Sequence, residues 1–225
     1  MGFERRFVRE RGFGTVVAVS LPEGDDFELP EALVADETAF AYRLAPARRR
    51  TWAGGRLALR AALAAQGCDA RPAILATARG APAVPEGFSG SISHKAVVAV
   101  ALAMRLEPGA RATVGIDVEI PRPLRHDIGR HVLTPAEQAA LASLPADARD
   151  PELLRRFSAK EAIYKALDPW VGRFVSFREV DLITDAGGRL EARLALSRGE
   201  GPFTVELDDA SDAELVLIAA RVTPG

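Results

Sequence analysis

Val114-Gly115-Ile116-Asp117-Val118-Glu119-Ile120 reads as a β-strand. Successive side chains of a strand point to opposite faces, so Val114, Ile116, Val118 and Ile120 face a core while Asp117 and Glu119 share the other face. Their Cα atoms are then about 6–7 Å apart at ~3.3 Å per residue. Two carboxylates this close repel unless a cation sits between them. Magnesium, bound by oxygen donors and reluctant to give up its waters, suits such a pair together with phosphate oxygens. Taken alone, D-x-E fits better a half-buried strand whose polar face meets water.

Outward from this strand, the chain reads as two α+β halves of similar build, 1–108 and 109–225. The polar segment 105–112, with Pro108 and Gly109, lies at their junction. In the first half, 14–20 reads as a strand and 46–66 as a long helix ended by Gly67, followed by strands at 73–77 and 96–104. The second half opens with the 113–120 strand. A helix then begins at about 134, where Thr134 and Glu137 form a capping box. A longer helix covers 151–167, with Pro151 in its first turn and Asp168-Pro169 after its end. Strands follow at 178–184, 190–196, 203–207 and 214–222, with Gly187-Gly188 as a hairpin turn.

Composition narrows the function classes. The 225 residues are 48% hydrophobic and 27% charged, as in an ordinary globular protein. No apolar run approaches the ~20 residues of a membrane span. The basic N-terminus carries Glu4 and Glu10 and lacks the apolar core of a secretory signal, so the expected compartment is the cytoplasm. The lone Cys68 excludes an internal disulfide and a cysteine-based zinc site. A net charge of −2, from 29 basic and 31 acidic residues, gives no global field for nucleic acid, and aromatic residues interleaved with the basic ones are missing.

Four further features carry chemistry. Phe157, Glu161 and Lys165, four residues apart, share a helix face; Glu161 can join the two strand carboxylates and Lys165 can neutralise charge. The same pattern also fits a solvated Glu–Lys pair. Of only three lysines, Lys160 and Lys165 both fall in this one segment, and an ammonium is not interchangeable with a guanidinium. Gly90-Ser91-Ile92-Ser93-His94, at the entrance of an apolar strand, offers hydroxyls and an imidazole to an anion. Arg48, Arg49, Arg50, Arg56 and Arg60 crowd one helix; guanidinium forks match phosphate oxygens, though a basic solvated face explains them equally well. His126 and His131 suggest no role.

As an ordered set, SISH at 91–94, VGIDVE at 114–119 and FSAKEAIYK at 157–165 resemble the Sfp-type 4′-phosphopantetheinyl transferases. The likeness is to the branch of enterobactin synthetase component D and the mycobacterial-type enzymes. RRRTWAGGRLALR at 48–60 and RGAPAVPEGFSGSISH at 79–94 resemble that branch too, and the likeness covers roughly 46–178. It implies two similar halves related by a pseudo-twofold. It also implies transfer of the 4′-phosphopantetheine arm of coenzyme A to a serine of an acyl or peptidyl carrier protein, with release of adenosine 3′,5′-bisphosphate. Asp117, Glu119 and Glu161 would then bind Mg²⁺, or Mn²⁺ in its place. Glu161 would also be the base, and Lys165 would stabilise the leaving oxygen. Arg48, Arg56, Ser93 and His94 would hold coenzyme A phosphates, and Arg79, Gly80, Ala81 and Pro82 would line the nucleotide pocket. The carriers are those of fatty-acid, polyketide, siderophore or non-ribosomal peptide synthesis. Such carriers are acidic around the serine, so Arg122, Arg125 and Arg130 form the expected docking segment, and a monomer is expected. Lys95 after the Ser-His pair and Phe157 in place of Trp depart from the family pattern. The competing enzyme reading is a Mg²⁺-dependent phosphohydrolase or nucleotide transferase using the same carboxylates.

Overall fold

A computed structural model describes residues 2–69, 72–122 and 128–225. The chain divides into two compact units, Met1–Ala110 and Arg111–Gly225. In the first, β1 (Glu4–Arg11) and β2 (Gly14–Ser20) are followed by α1 (Ala35–Tyr42) and α2 (Pro46–Ala65), then by β3 (Phe88–His94) and β4 (Val98–Arg105). The four strands form one antiparallel sheet in the order β1-β2-β4-β3. The apolar runs of β2 and β4 occupy its buried centre. β1 is almost wholly charged and exposed, and it blunts the sheet edge. Consecutive glycines let α2 approach this sheet. A Cβ on Gly54 would lie 2.2 Å from Leu21 Cδ2, and one on Gly55 would lie 2.7 Å from Ile92 Cγ2.

The second unit contains β5 (Thr113–Glu119), α3 (Gly129–Val132), α4 (Pro135–Ala142), α5 (Ala146–Val171), β6 (Val180–Thr184), β7 (Leu190–Leu194), β8 (Phe203–Asp209) and β9 (Val216–Pro224). Its main sheet runs β5-β9-β8, and β6–β7 form a separate hairpin turned at Gly188, φ +80°. Ala162, Ile163 and Ala166 of α5 pack on Ile218, Ala220 and Val222 of β9. The two units thus repeat one plan. In each, the strand that precedes the helices (β2 or β5) pairs with the last strand, the last pairs with the penultimate one, and a long helix lies between the earlier and the later strands.

Several boundaries differ from the sequence expectation. The segment 73–77 makes only an isolated bridge, Ala76 to Pro82. The SISH motif lies inside β3 and not at the entrance of the next strand. The long helix of the second unit starts at Ala146, earlier than Pro151, and runs past Pro169 to Gly172, whose φ of +60° ends it. A proline so close to the helix end removes few bonds. Neither β1 nor α1 was expected: β1 is held by its backbone pairing, and α1 has a valine at its N-cap with no side-chain cap. No helix among the described residues is long and apolar enough to cross a membrane.

Candidate active site

The β5 face carrying Asp117 and Glu119 does not meet water. Thr113, Gly115, Asp117 and Glu119 alternate along the strand on the face that α5 covers. Thr113 Oγ1 donates to the Ala166 carbonyl at 2.6 Å. A Cβ on Gly115 would stand 1.9 Å from the Ala162 carbonyl, so any side chain there would lift the helix off the strand. Asp117 and Glu119 are both buried. Lys165 of α5 reaches back, its Nζ donating to Asp117 Oδ1 at 2.8 Å and to the Ile116 carbonyl at 2.9 Å. An ammonium has three N–H donors, so one is left for a ligand. Glu161 lies one turn earlier on the same helix, half-buried, and Phe157 packs edge-on to Phe177.

The two lysines of this segment separate in role. Lys160 is fully buried, with Nζ donating to Glu137 Oε2 at 2.6 Å and to the carbonyls of Val132 and Phe177 at 2.9 and 3.0 Å. Burial pushes its ammonium below the usual lysine range, opposed by the bond to Glu137. Glu137 is itself buried; its Oε2 accepts from Thr134 N and its Oε1 from Leu182 N. Lys160 therefore pins α5 in place and leaves Lys165 to the site.

In the first unit the sheet and α2 bring Arg48 to His94, 46 positions apart, with Nη1 2.9 Å from Nε2. A guanidinium only donates, so His94 Nε2 accepts. Both residues lie on the α2 side of β3, where Gly90 and Ile92 touch the helix. Ser93 points to the opposite, buried face, so its hydroxyl is not beside that pair. Arg48 sits within the first turn of an unbroken α2. Arg56 is only 7% exposed. Its Nε donates to the Ile74 carbonyl at 3.0 Å and its plane covers Trp52 at 4.4 Å. Among the described residues its two terminal nitrogens make no hydrogen bond and it forms no salt bridge. Burial lowers its pKa to about 10, with nearby Glu37 opposing and Arg48 adding to the shift, so it is a cation at neutral pH. Arg79 is at the exposed tip of a tight hook closed by Thr77 N to Ala81 O at 2.8 Å. Gly80, φ +87°, supplies the left-handed residue the hook needs.

Family comparison fits this geometry. Residues 113–219 match the 4′-phosphopantetheinyl transferase superfamily, and residues 36–104 match the 4′-phosphopantetheinyl transferase N-terminal domain. The chain is 32% identical to 4′-phosphopantetheinyl transferase Npt of Nocardia iowensis over 75% of this chain and 74% of that protein. The chain belongs to the 4′-phosphopantetheinyl transferase superfamily. It is also 31% identical to PptT of Mycobacterium tuberculosis, over 78% of this chain and 81% of that one. Identity to Svp of Streptomyces mobaraensis is 36%, over 72% of this chain and 65% of Svp, just under two thirds of its length.

For a member of this superfamily the donor set is informative. Asp117, Glu119 and Glu161 are all hard oxygen donors, the chemistry that Mg²⁺ selects, and the first two are desolvated on one strand face. In the arrangement described, Asp117 is engaged by Lys165. No group of three or more His, Cys, Asp or Glu side chains among the described residues forms a metal cage. The carboxylates fit a cation that keeps waters and takes further oxygens from its ligand better than one enclosed by protein.

Sequence reasoning missed the buried carboxylate Glu37. It accepts from Val34 N and Ile74 N and grips Arg60 with both oxygens. Of the crowded arginines, Arg49 is tied to the carbonyls of Ala41, Tyr42 and Leu44 at the end of α1. Arg50 donates to the Gly24 carbonyl and Arg60 belongs to Glu37, which leaves Arg48 and Arg56. A carboxylate at the third helix position of both short helices was the available signal, and it was legible only for Glu137, where Thr134 completes the box. In the expected docking segment Arg122 and Arg130 are exposed, and Arg125 lies outside the described residues.

Proposed function

We propose that this chain transfers the 4′-phosphopantetheine arm of coenzyme A to a serine of an apo acyl or peptidyl carrier protein. The reaction is Mg²⁺-dependent and releases adenosine 3′,5′-bisphosphate. The observation that carries this reading is the Lys165–Asp117 pair, with one lysine N–H left over, on the helix that also bears Glu161. Asp117, Glu119 and Glu161 would hold a Mg²⁺, which when bound neutralises diphosphate charge and polarises the phosphorus. Glu161 takes the proton of the serine hydroxyl, directly or through a water, as its oxygen attacks the phosphorus next to the pantetheine arm. The bond to the bridging oxygen breaks, and Lys165 offsets the charge that gathers there. Phosphoryl transfer of this kind rests on positioning and charge more than on covalent protein chemistry.

The nucleotide's phosphates fall to Arg48, His94 and Arg56, and its base to the hook Arg79-Gly80-Ala81-Pro82. Ser93, on the other face of β3, is assigned to the coenzyme A phosphates with them. Arg122, Arg125 and Arg130 form the basic rim that meets an acidic carrier, and a cytoplasmic monomer is the expected working form. Intact-mass measurement of an apo carrier incubated with coenzyme A, Mg²⁺ and this protein should show the gain of one phosphopantetheine group. Asp117→Asn, which keeps the side-chain volume, should lower the rate roughly 100-fold or more. Coenzyme A cleavage without a mass gain on the carrier would instead indicate a hydrolase.

A further inference from the structure

Ser158 of α5 is fully buried, and among the described residues its Oγ makes no hydrogen bond. A serine inside a helix commonly turns its hydroxyl to the carbonyl one turn earlier. Here that would be the carbonyl of Leu154, and Ser158 does not take it. A buried hydroxyl left unbonded is costly, and each such group in a folded chain calls for a reason.

The packing of α5 on β5 places that hydroxyl. Thr113 bonds to the Ala166 carbonyl and Gly115 abuts the Ala162 carbonyl, so two residues forward on the strand match four residues back on the helix. The two steps are nearly equal, about 6.6 Å along a strand and about 6 Å along a helix. The next step brings Asp117 level with Ser158. Ser158, Glu161, Ala162 and Lys165 also follow one another at i, i+3, i+4 and i+7, which is one face of a helix. Ser158 therefore stands on the face that carries Glu161 and Lys165, whereas its neighbour Ala159 belongs to the apolar cluster of Ile218 and Ala220. Lys165 grips Asp117 at Oδ1, and Oδ2 is buried as well. An ammonium on a flexible stem is a point charge that does not fix the plane of a carboxylate. A hydroxyl donor beside the same carboxylate does, and donors of this kind orient metal ligands and raise metal affinity.

We propose that Ser158 is a positioning residue whose hydroxyl donates to Asp117 in the loaded site and sets that carboxylate for the cation. This rests on the functional reading above, which gives Asp117 to the metal. The test uses the full chain with Mn²⁺ as the probe metal, with coenzyme A present and no carrier, so that nothing turns over. Bound Mn²⁺ is counted by electron paramagnetic resonance, after subtracting what coenzyme A holds by itself. Ser158→Ala should weaken Mn²⁺ binding about tenfold, the low end for losing a partner of a metal ligand. The metal-free Tm of this variant should equal or exceed that of the wild type, because only an unbonded hydroxyl has gone. Ser158→Thr, which keeps a hydroxyl, should bind Mn²⁺ nearly as the wild type does. Unchanged Mn²⁺ affinity in Ser158→Ala, or an equal loss in Ser158→Thr, would overturn the assignment. Asp117→Asn separates this proposal from the reading beneath it. If that variant loses Mn²⁺ while Ser158→Ala keeps it, only the role of Ser158 falls. If Asp117→Asn binds Mn²⁺ as tightly as the wild type, the metal assignment of the functional reading falls and takes this one with it.

Discussion

Glu37 and Glu137, about a hundred residues apart, make the same clip in the two units. Each sits at the third position of an eight-residue helix and takes the N–H of the residue before that helix. Each takes a second N–H from a later segment, that of Ile74 or of Leu182. Each is paired with a basic residue of the long helix, Arg60 or Lys160. One helical turn earlier in both long helices stands an arginine that donates to the carbonyl of that later residue, Arg56 to Ile74 and Arg156 to Leu182. The difference lies in what remains. Arg156 is fully engaged, its Nε with Glu152 and its Nη2 with Thr184. Among the described residues the terminal nitrogens of Arg56 make no hydrogen bond. One copy of the clip is closed, and the other is open at its arginine.

The largest effect should come from breaking the closed copy. Glu137→Ala would strand Lys160, which has no exposure, and orphan two backbone N–H groups. Removing one partner of a buried ion pair costs about 3–5 kcal/mol, so urea unfolding should show a loss of that size or no folded protein. Glu37→Ala should cost less, about 1.5–3 kcal/mol. Arg60 is 11% exposed at its side chain, reaches water, and keeps its bond to the Pro72 carbonyl. Equal losses in the two variants would erase the distinction between a sealed and a leaking clip.

Exchanging the basic residues sharpens the same contrast. Lys160→Arg forces a larger group into a filled site, at about 1–3 kcal/mol, whereas Arg60→Lys should cost about 1 kcal/mol through the lost fork. The smallest effect concerns the surface clamp that Arg173 forms with Glu179 and Glu200, a reference for both clips. The carboxyl of Glu179 is held at about 2 against an ordinary 4.5. Its contribution is therefore complete above pH 4.5 and fades as pH falls towards 2. The hydrogen-exchange protection factor of the Ser197 amide, which bonds to Glu179, should be constant from pH 7 to 4.5 and decline below it. A decline already at pH 6 would contradict the clamp.

Much of the fold was legible because β2, β4, β5 and the long helices carry their own apolar patterns. The α+β repeat followed from those runs. β1 was hidden because a charged edge strand has no hydrophobic period, and α1 because its N-cap is a valine. At the site, the shared face of Asp117 and Glu119 could be read from the strand period. That this face is covered by a helix could not, because the signal was one glycine, Gly115, whose missing side chain admits the Ala162 carbonyl. The division of labour between Lys160 and Lys165 was equally invisible, since it depends on Glu137 arriving from another helix.

Arg56, at the open copy in the first unit, is proposed to hold a phosphate of coenzyme A. The direct measurement is kcat/KM with coenzyme A and with dephospho-coenzyme A, which lacks the 3′-phosphate, for wild type, Arg56→Lys and Arg156→Lys. A charge-assisted phosphate contact is worth about 1.5–3 kcal/mol, and replacing the fork by an ammonium should forfeit part of it. Arg56→Lys should therefore lower the efficiency with coenzyme A about tenfold and leave that with dephospho-coenzyme A nearly unchanged. Arg156→Lys should change both cofactors alike, giving no coupling to the phosphate. Coupling absent at Arg56, or equal at Arg56 and Arg156, would contradict the claim.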